Sequence, residues 1–339
     1  MKKIILTAGG TGGHTLPALV FAKELMGESF DVHLVSDERG MRNMQVPEGL
    51  HLRILALKFY QKRGIFYKIL GMIELLIQAF FMIFYLLKQK PQAVVGFGGF
   101  PSFPLLAAAW ILRIPYALHE QNAVFGRVNR LFLKHAAKIF TSFPGTKGIH
   151  VGNPVRDAFL EEYTQEPSKK LTLLIMGGSQ GASIFAKVIP EAIELLPKTW
   201  QSKLVIYQQA RPQDKEGLIQ KYQGKKATVE TFFSNIPDIM KKADIIISRA
   251  GASTIAEIMA LNKKALLLPY PFAMDNHQQL NAEEFVKMGY GWMVLDKDFT
   301  PEFLCNFLKE KKELPETKPL RADLAKIKNE LLQLLEKKN

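Results

Sequence analysis

Two histidine-bearing segments and one carboxylate hold most of the chemistry that the side chains of this sequence can perform. His14 closes the glycine cluster Gly9-Gly-Thr-Gly-Gly13. A histidine titrates close to neutral pH, so at a loop–helix junction it can act as a general base. It can equally be a first-turn residue that hydrogen-bonds the loop. His119-Glu120-Gln121-Asn122 sets four hydrogen-bonding side chains in a row, just after the apolar run Tyr116–Leu118, although a turn can use Asn122 alone. Glu257 lies about a turn beyond Ala252-Ser253-Thr254, where a carboxylate can accept both hydroxyls of a ribose or simply cap the helix. Asp275-Asn-His-Gln-Gln-Leu-Asn281 is dense in amides, which suit sugar hydroxyls. Arg156, in Gly152-Asn-Pro-Val-Arg156, can meet an anion or pair with a surface carboxylate. Paired carboxylates that would mark a hydrolase are missing, and Asp296-Lys-Asp298 reads as a solvated turn rather than a metal site.

Groups of this kind need fixed turns to hold them. Gly9–Gly13, Gly96-Phe-Gly-Gly99 and Gly177-Gly-Ser-Gln-Gly181 each follow a short apolar run and open a helical segment. At such junctions backbone N–H groups and the positive helix end can hold a phosphate, or the glycines merely permit a tight turn. Ala252–Thr254 offer a further helix N-terminus of small residues. A dinucleotide fingerprint needs a third glycine where Thr15 stands, so Asp37 after the second strand only imitates the ribose-binding acid, and a nicotinamide enzyme is not expected. The P-loop pattern G-x-x-x-x-G-K-[ST] is not found in the sequence.

The elements that position these turns alternate along the whole chain. Runs Lys3–Thr7, Val32–Val35, Leu52–Leu55, Ala93–Val95 and Tyr116–Leu118 form one series. Leu171–Met176, Lys203–Tyr207, Ala227–Thr231, Ile245–Ser248 and Ala265–Leu268 form another. Most of these runs are continuous and β-branched or leucine-rich, the pattern of strands buried on both faces of a parallel sheet, and Pro17–Met26, Ala182–Leu196 and Thr254–Ala260 read as crossover helices. The class is α/β. The glycine cluster recurs half a chain later, which predicts two sheet domains: 1–157, and 158–319, with a leucine-spaced helix in 320–339 packing back on the first. The 339 residues, 47% of them hydrophobic, supply a core for both and exclude disorder. One cysteine, Cys305, excludes a disulfide scaffold and fits a reducing compartment. The start, Met1 to Gly10, has no apolar run ahead of a cleavage site, so no secretory leader is expected. The 45 Lys+Arg against 32 Asp+Glu give +13, which points to an anionic partner. No RNA- or DNA-binding motif accompanies the charge, so nucleic acid is not the expected partner.

Ile65–Leu87 has only Lys68 and Glu74 charged, and Lys62, Arg63, Lys88 and Lys90 flank it. It can be a buried helix, a helix lying in a membrane interface, or a span. At ~100° per residue Tyr67, Gly71, Glu74, Gln78, Tyr85 and Lys88 fall in one stripe. A span would put strands of one sheet on opposite sides of a bilayer and is rejected. An interfacial helix would insert Ile69, Ile73, Leu76, Phe80, Ile83 and Phe84, with the basic flanks on anionic headgroups.

Seven of these segments, in order from Gly9 to Ala282, resemble the MurG-type N-acetylglucosaminyltransferases of glycosyltransferase family 28. They are Gly9–His14 with Pro17-Ala18, Gly96–Gly99, His119–Asn122, Gly152–Arg156, Gly177–Ala182, Ser248–Glu257, and Gln278-Gln279 with Asn281-Ala282. The resemblance implies a GT-B fold, two Rossmann-like parallel-sheet domains facing across a cleft. It implies inverting, metal-independent transfer without a cofactor, from UDP-N-acetylglucosamine to the 4-hydroxyl of the muramoyl-pentapeptide of lipid I, giving lipid II for peptidoglycan. By the same resemblance Ser179, Ala252, Ser253 and Thr254 take the diphosphate and Glu257 the ribose. Phe233 to Ile236 present backbone to uracil, and Gln278 and Gln279 take sugar hydroxyls. Thr11, Gly12, Gly13, Asn122 and Arg156 complete the donor side, and Gly96, Gly98 and Gly99 hold the acceptor diphosphate. His14 is the implied base, with Glu120 its rival. The protein would sit on the cytoplasmic face of the cell membrane as a peripheral protein, with other cell-wall enzymes as further partners. The alternatives are another GT-B UDP-sugar enzyme (a glycolipid galactosyltransferase or a UDP-sugar 2-epimerase) and a non-catalytic UDP-sugar-binding module at the membrane surface.

Overall fold

The computed structural model describes residues 2–28, 30–42, 44–58, 62–164, 169–178, 181–310 and 313–336. It divides into two compact units, Met1–Arg156 with Arg321–Asn339, and Asp157–Leu320.

The N-terminal unit is built on one parallel sheet. Its strands are β1 (Lys3–Thr7), β2 (Asp31–Asp37), β3 (His51–Leu55), β4 (Ala93–Gly96), β5 (Tyr116–Glu120), β6 (Lys138–Thr141) and β7 (Ile149–His150), in the order β3-β2-β1-β4-β5-β6-β7. Alternation along β1 explains why its apolar run is continuous. Ile4 and Leu6 face the helix Gly12–Gly27, while Ile5 faces the helices Ile65–Gln89 and Phe103–Ile111 on the other side. The helix Leu324–Glu336 joins the first of these layers through Ile327, Leu331 and Leu335, spaced to form one stripe. Its first turn is capped by Asp323, whose carboxylate accepts from the Lys326 N–H at 2.8 Å.

The C-terminal unit repeats the plan with β8 (Leu171–Met176), β9 (Leu204–Gln209), β10 (Ala227–Glu230), β11 (Ile245–Arg249), β12 (Ala265–Leu268) and β13 (Gly291–Met293). All pairs are parallel, in the order β10-β9-β8-β11-β12-β13. Strand order reverses between β1 and β4 in one sheet and between β8 and β11 in the other. At such a reversal two loops diverge and leave a crevice at the strand C-termini, where open α/β sheets bind ligands.

The expected elements need three adjustments. β5 runs on through His119 and Glu120, both fully buried, so this pair lies in the strand rather than after it. The first and third crossover helices begin earlier than their apolar pattern, at Gly12 and Ala252. β6, β7 and β13 are additions, too short for an apolar run to mark them.

Among the described residues, the helix Ile65–Gln89 is the one long and apolar enough to cross a membrane. It joins β3 to β4, and β4 pairs with β1 from Ile4↔Ala93 to Thr7↔Gly96, a pairing that a crossing would break. Gly71, Leu75, Ala79, Met82 and Leu86 are buried toward the sheet. Glu74 also turns inward and accepts from the Lys58 N–H at 2.7 Å. The opposite side is bare: Ile69, Ile73, Leu76, Phe80 and Phe84 are exposed, with Ile65, Phe66, Met72, Ile77, Phe81 and Leu87 beside them. Ile83 differs from its expected place, because it packs half-buried against the core under the helix.

Candidate active site

In the N-terminal unit the two glycine turns meet. Gly10, at φ 79°, turns the chain out of β1, and its N–H donates to Asp37 Oδ1 at 2.7 Å. The same oxygen accepts from Gly40 N–H at 3.0 Å. Asp37 is thus an anchor for the loop, not a ribose ligand. Gly98 and Gly99 follow β4 at φ 83° and 80°. A Cβ on Gly99 would stand 2.1 Å from the Gly9 carbonyl oxygen, and one on Gly98 would stand 3.3 Å from His14 Nδ1. Only glycine allows the turns to pack backbone to backbone under His14.

His14 sits in the first turn of the helix Gly12–Gly27, beside Gly12 and Gly13, with Thr11 at the N-cap. Its tautomer can be traced back through β5. His119 Nε2 faces the Gly152 carbonyl at 3.0 Å, so it carries the proton and donates. His119 Nδ1 then accepts from Gln121 Nε2 at 3.0 Å. That fixes the Gln121 amide, whose Oε1 lies 2.9 Å from His14 Nδ1. The Phe97 carbonyl lies 3.0 Å from the same nitrogen. With an acceptor on each side, His14 Nδ1 holds the proton and Nε2 keeps its lone pair. This chain of neutral groups prepares His14 to accept a proton at Nε2. Sequence inspection sees the three side chains but not their pairing, since His14 and Gln121 are 107 positions apart.

Burial depresses the His119 pKa from the usual 6.5 to about 4, so this imidazole stays uncharged at neutral pH. Above pH 6.5 the imidazole is neutral in both folded and unfolded chains. Below it the unfolded chain takes up a proton that the native one refuses until about pH 4. Stability is therefore lost as pH falls through this window, roughly 2 kcal/mol by pH 5. Hydrogen exchange at the β5 amides, corrected for intrinsic rates, should show that loss between pH 7 and 5. His119→Asn should reduce the pH dependence to the share of His33, whose pKa burial also lowers, and an unchanged slope in the variant would refute it.

Glu120 is fully committed to the chain itself. Oε1 accepts from the Asn122 N–H at 3.0 Å and from Asn122 Nδ2 at 3.1 Å. Oε2 accepts from Gly126 N–H and Asn129 Nδ2, both at 2.9 Å. Four donors fill the positions a carboxylate offers. Glu120 and Asn122 therefore shape the loop after β5, beside His14. Arg156 ends the buried run Val151–Val155 and is exposed.

The C-terminal unit gathers its candidates at the ends of β8, β11 and β12. After β8, Gly177 and Gly181 touch so closely that a Cβ on Gly177 would lie 2.6 Å from the Gly181 Cα. Ser179 lies outside the described residues. After β11, Gly251 caps the helix Ala252–Ala260, whose first intrahelical bond is Ile255 N–H to the Gly251 carbonyl at 3.0 Å. The N–H groups of Ala252, Ser253 and Thr254 precede that bond, as an anion site requires. Glu257 is buried two turns in, too far along the helix for a capping box. Asn281 Nδ2 donates to the Ala250 carbonyl at 3.1 Å and ties the helix His277–Lys287 to this turn.

Gln278 Oε1 accepts from the Tyr270 N–H at 2.9 Å, and Gln279 Nε2 donates to Glu283 at 2.9 Å. Phe233 is buried with its ring edge-on to Tyr207, which leaves backbone as its contribution, and Ile236 opens the helix Ile236–Lys242. Asp296 is not a solvated turn residue. It forms a two-pronged ion pair with Arg249, whose Nη2 is 2.9 Å from Oδ2, and Arg249 also donates to the Leu268 and Pro269 carbonyls at 3.2 Å. The pair braces the ends of β11 and β12.

The profile of the glycosyltransferase family 28 N-terminal domain matches residues 4–141, and that of its C-terminal domain matches residues 172–335. A protein of Paramagnetospirillum magneticum named UDP-N-acetylglucosamine–N-acetylmuramyl-(pentapeptide) pyrophosphoryl-undecaprenol N-acetylglucosamine transferase is 38% identical over 321 residues, 89% of this chain and 86% of that protein. This chain belongs to the MurG-type branch of glycosyltransferase family 28. A Rhodospirillum centenum protein of the same name is 38% identical over 90% of this chain and 84% of its own length. The crystal structure of MurG from Acinetobacter baumannii superposes with a TM-score of 0.74 at 28% identity, covering 91% of this chain and 90% of that one. The two family 28 domains, each on a Rossmann-like parallel sheet, make the fold GT-B.

Proposed function

We propose that this MurG-type enzyme transfers N-acetylglucosamine from UDP-N-acetylglucosamine to the 4-hydroxyl of the muramoyl-pentapeptide of lipid I, producing lipid II. The observation that carries this is the 38% identity, through both domains, to transferases named for that reaction. Purified protein given UDP-N-acetylglucosamine and a short-chain lipid I should release UDP and form the disaccharide lipid in equal amounts. UDP release by water alone, with no disaccharide, would overturn it.

Inversion needs the acceptor hydroxyl in line behind the anomeric carbon while UDP leaves from the opposite side. The N-terminal unit supplies the acceptor side: Gly96, Gly98 and Gly99 offer backbone to the lipid diphosphate, and His14 Nε2 takes the hydroxyl proton. Glu120, with its oxygens committed, acts by holding Asn122 and the loop after β5. The C-terminal unit holds the donor. Ala252, Ser253 and Thr254 N–H groups meet the diphosphate, where fixed dipoles stabilise the charge that grows on departing UDP. Backbone from Phe233 to Ile236 meets uracil, Gln278 and Gln279 meet the sugar, and Thr11 to Gly13, Asn122 and Arg156 complete the donor contacts.

Glu257 holds the ribose hydroxyls. Two charge-assisted hydrogen bonds at about 1.5–3 kcal/mol each set the scale, so Glu257→Ala should weaken UDP binding by about 10²-fold or more. Calorimetry with UDP reads it directly, and unchanged affinity would move the ribose elsewhere. The bare side of the helix Ile65–Gln89 rests on the cytoplasmic face of the membrane, beside the polyprenyl chain of the acceptor.

A further inference from the structure

At the other end of the strands, away from the glycine turns, a second constellation stands on the N-terminal sheet. Asp31 opens β2 and His33 follows on the same face. Parallel register sets His51, the first residue of β3, directly opposite His33. Strand alternation therefore sends all three side chains to one side of the sheet. The imidazole rings are 4.6 Å apart, and His33 Nε2 and His51 Nε2 lie 3.1 and 3.9 Å from one carboxylate oxygen, Asp31 Oδ1. One ligating atom from each residue falls within 4.8 Å of the others. A tetrahedral ion with bonds of ~2.0–2.1 Å separates its ligands by about 3.4 Å. The two nitrogen–oxygen distances bracket that figure.

We infer that Asp31, His33 and His51 form a binding site for a divalent cation of the zinc class, with its fourth position open to water. Two imidazoles and one carboxylate favour late first-row ions over magnesium or calcium. Asp31 Oδ2 is engaged by Lys3 Nζ at 3.2 Å, and Lys3 is itself held by Gln89 Oε1 at 2.6 Å. That pairing turns Oδ1 toward the imidazoles, and the nearby ammonium keeps affinity below that of a closed structural site. Tyr85 supplies the outer contact, its hydroxyl 3.0 Å from His33 Nδ1. Without an ion, His33 carries its proton on Nε2 and donates to Asp31, while the tyrosine donates to Nδ1. With an ion on Nε2, the proton moves to Nδ1 and the tyrosine accepts it. One hydroxyl thus serves both tautomers, and the imidazole loses no proton on balance. Bound there, the ion clips β2 to the edge strand β3.

The test uses the full-length chain without an affinity tag, stripped with chelator and free of nucleotide. Zn²⁺ is titrated by calorimetry, and Co²⁺ by visible absorbance. One equivalent of each should bind, with the intense bands of four-coordinate cobalt, and Zn²⁺ should raise the thermal midpoint. His51→Ala, at an exposed side chain, should weaken Zn²⁺ by about 10²-fold and abolish the thermal shift while UDP still binds. Tyr85→Phe should weaken it by about tenfold. A parent chain that takes up neither ion overturns the site. So does His51→Ala binding as tightly as the parent, because the ion then resides elsewhere.

Discussion

His14→Ala should lower turnover by about 10²–10⁴-fold, the usual worth of a positioned general base, while UDP-N-acetylglucosamine binds as before. The separation follows from where the contacts lie. His14 is held by the Phe97 carbonyl and Gln121 at 3.0 and 2.9 Å, both within the N-terminal unit. The turn proposed for the diphosphate, Ala252 to Thr254, belongs to the other unit, and the donor contacts proposed at Thr11 to Gly13 do not use the His14 side chain. Single-turnover rates with short-chain lipid I, set against a UDP titration, distinguish the outcomes. An equal fall in both would make His14 a prop for the glycine turn. Gln121→Leu probes the relay from behind. It removes one acceptor from Nδ1 and leaves the Phe97 carbonyl, so the rate should fall by less than in His14→Ala. A Gln121→Leu rate as low as that of His14→Ala would mean that the amide does more than orient the ring.

What the sequence disclosed and what it hid divide along the range of the interactions. Leu171–Met176 is legible whole because a six-residue apolar run with sheet on both sides needs no partner to identify it. The glycine clusters are legible because each contains positions, such as Gly10 and Gly178, that take the left-handed backbone. β6 and β7 are short and carry Lys138 and His150, so only pairing with β5 and with each other makes them strands. His119 and Glu120 look like residues of a loop. They extend β5 because Gly152, Gln121, Asn122, Gly126 and Asn129 satisfy them in the interior, at a cost that unpaired polar groups could not meet. Asp296 reads as solvated in the sequence for the same reason: its partner, Arg249, stands 47 residues away. Composition marks which residues can do chemistry. Long-range pairing decides whether a given carboxylate is a base, an anchor or half of an ion pair.

Replacing Phe80 and Phe84 together by Asp should release the enzyme from vesicles, with a loss of binding of about 10²-fold or more. The two rings pack edge to face, with centroids 5.1 Å apart, yet they remain 57% and 56% exposed. Burying a phenylalanine is worth ~1.5–3 kcal/mol, so two that insert together supply several kcal/mol before any charge is placed in the interface. The protein-facing side of the helix, from Gly71 to Leu86, is untouched, so the fold should be retained. Sedimentation with phosphatidylglycerol-containing vesicles measures the effect, with UDP binding as the check on folding. Reversal of Lys62, Arg63, Lys88 and Lys90 should act differently. Each flanking cation near an anionic surface contributes about 1 kcal/mol, and that share fades as salt rises. The phenylalanine contribution should persist at high salt. If Phe80→Asp/Phe84→Asp still sediments like the parent, the bare side of this helix does not meet the membrane, and a protein partner must cover it.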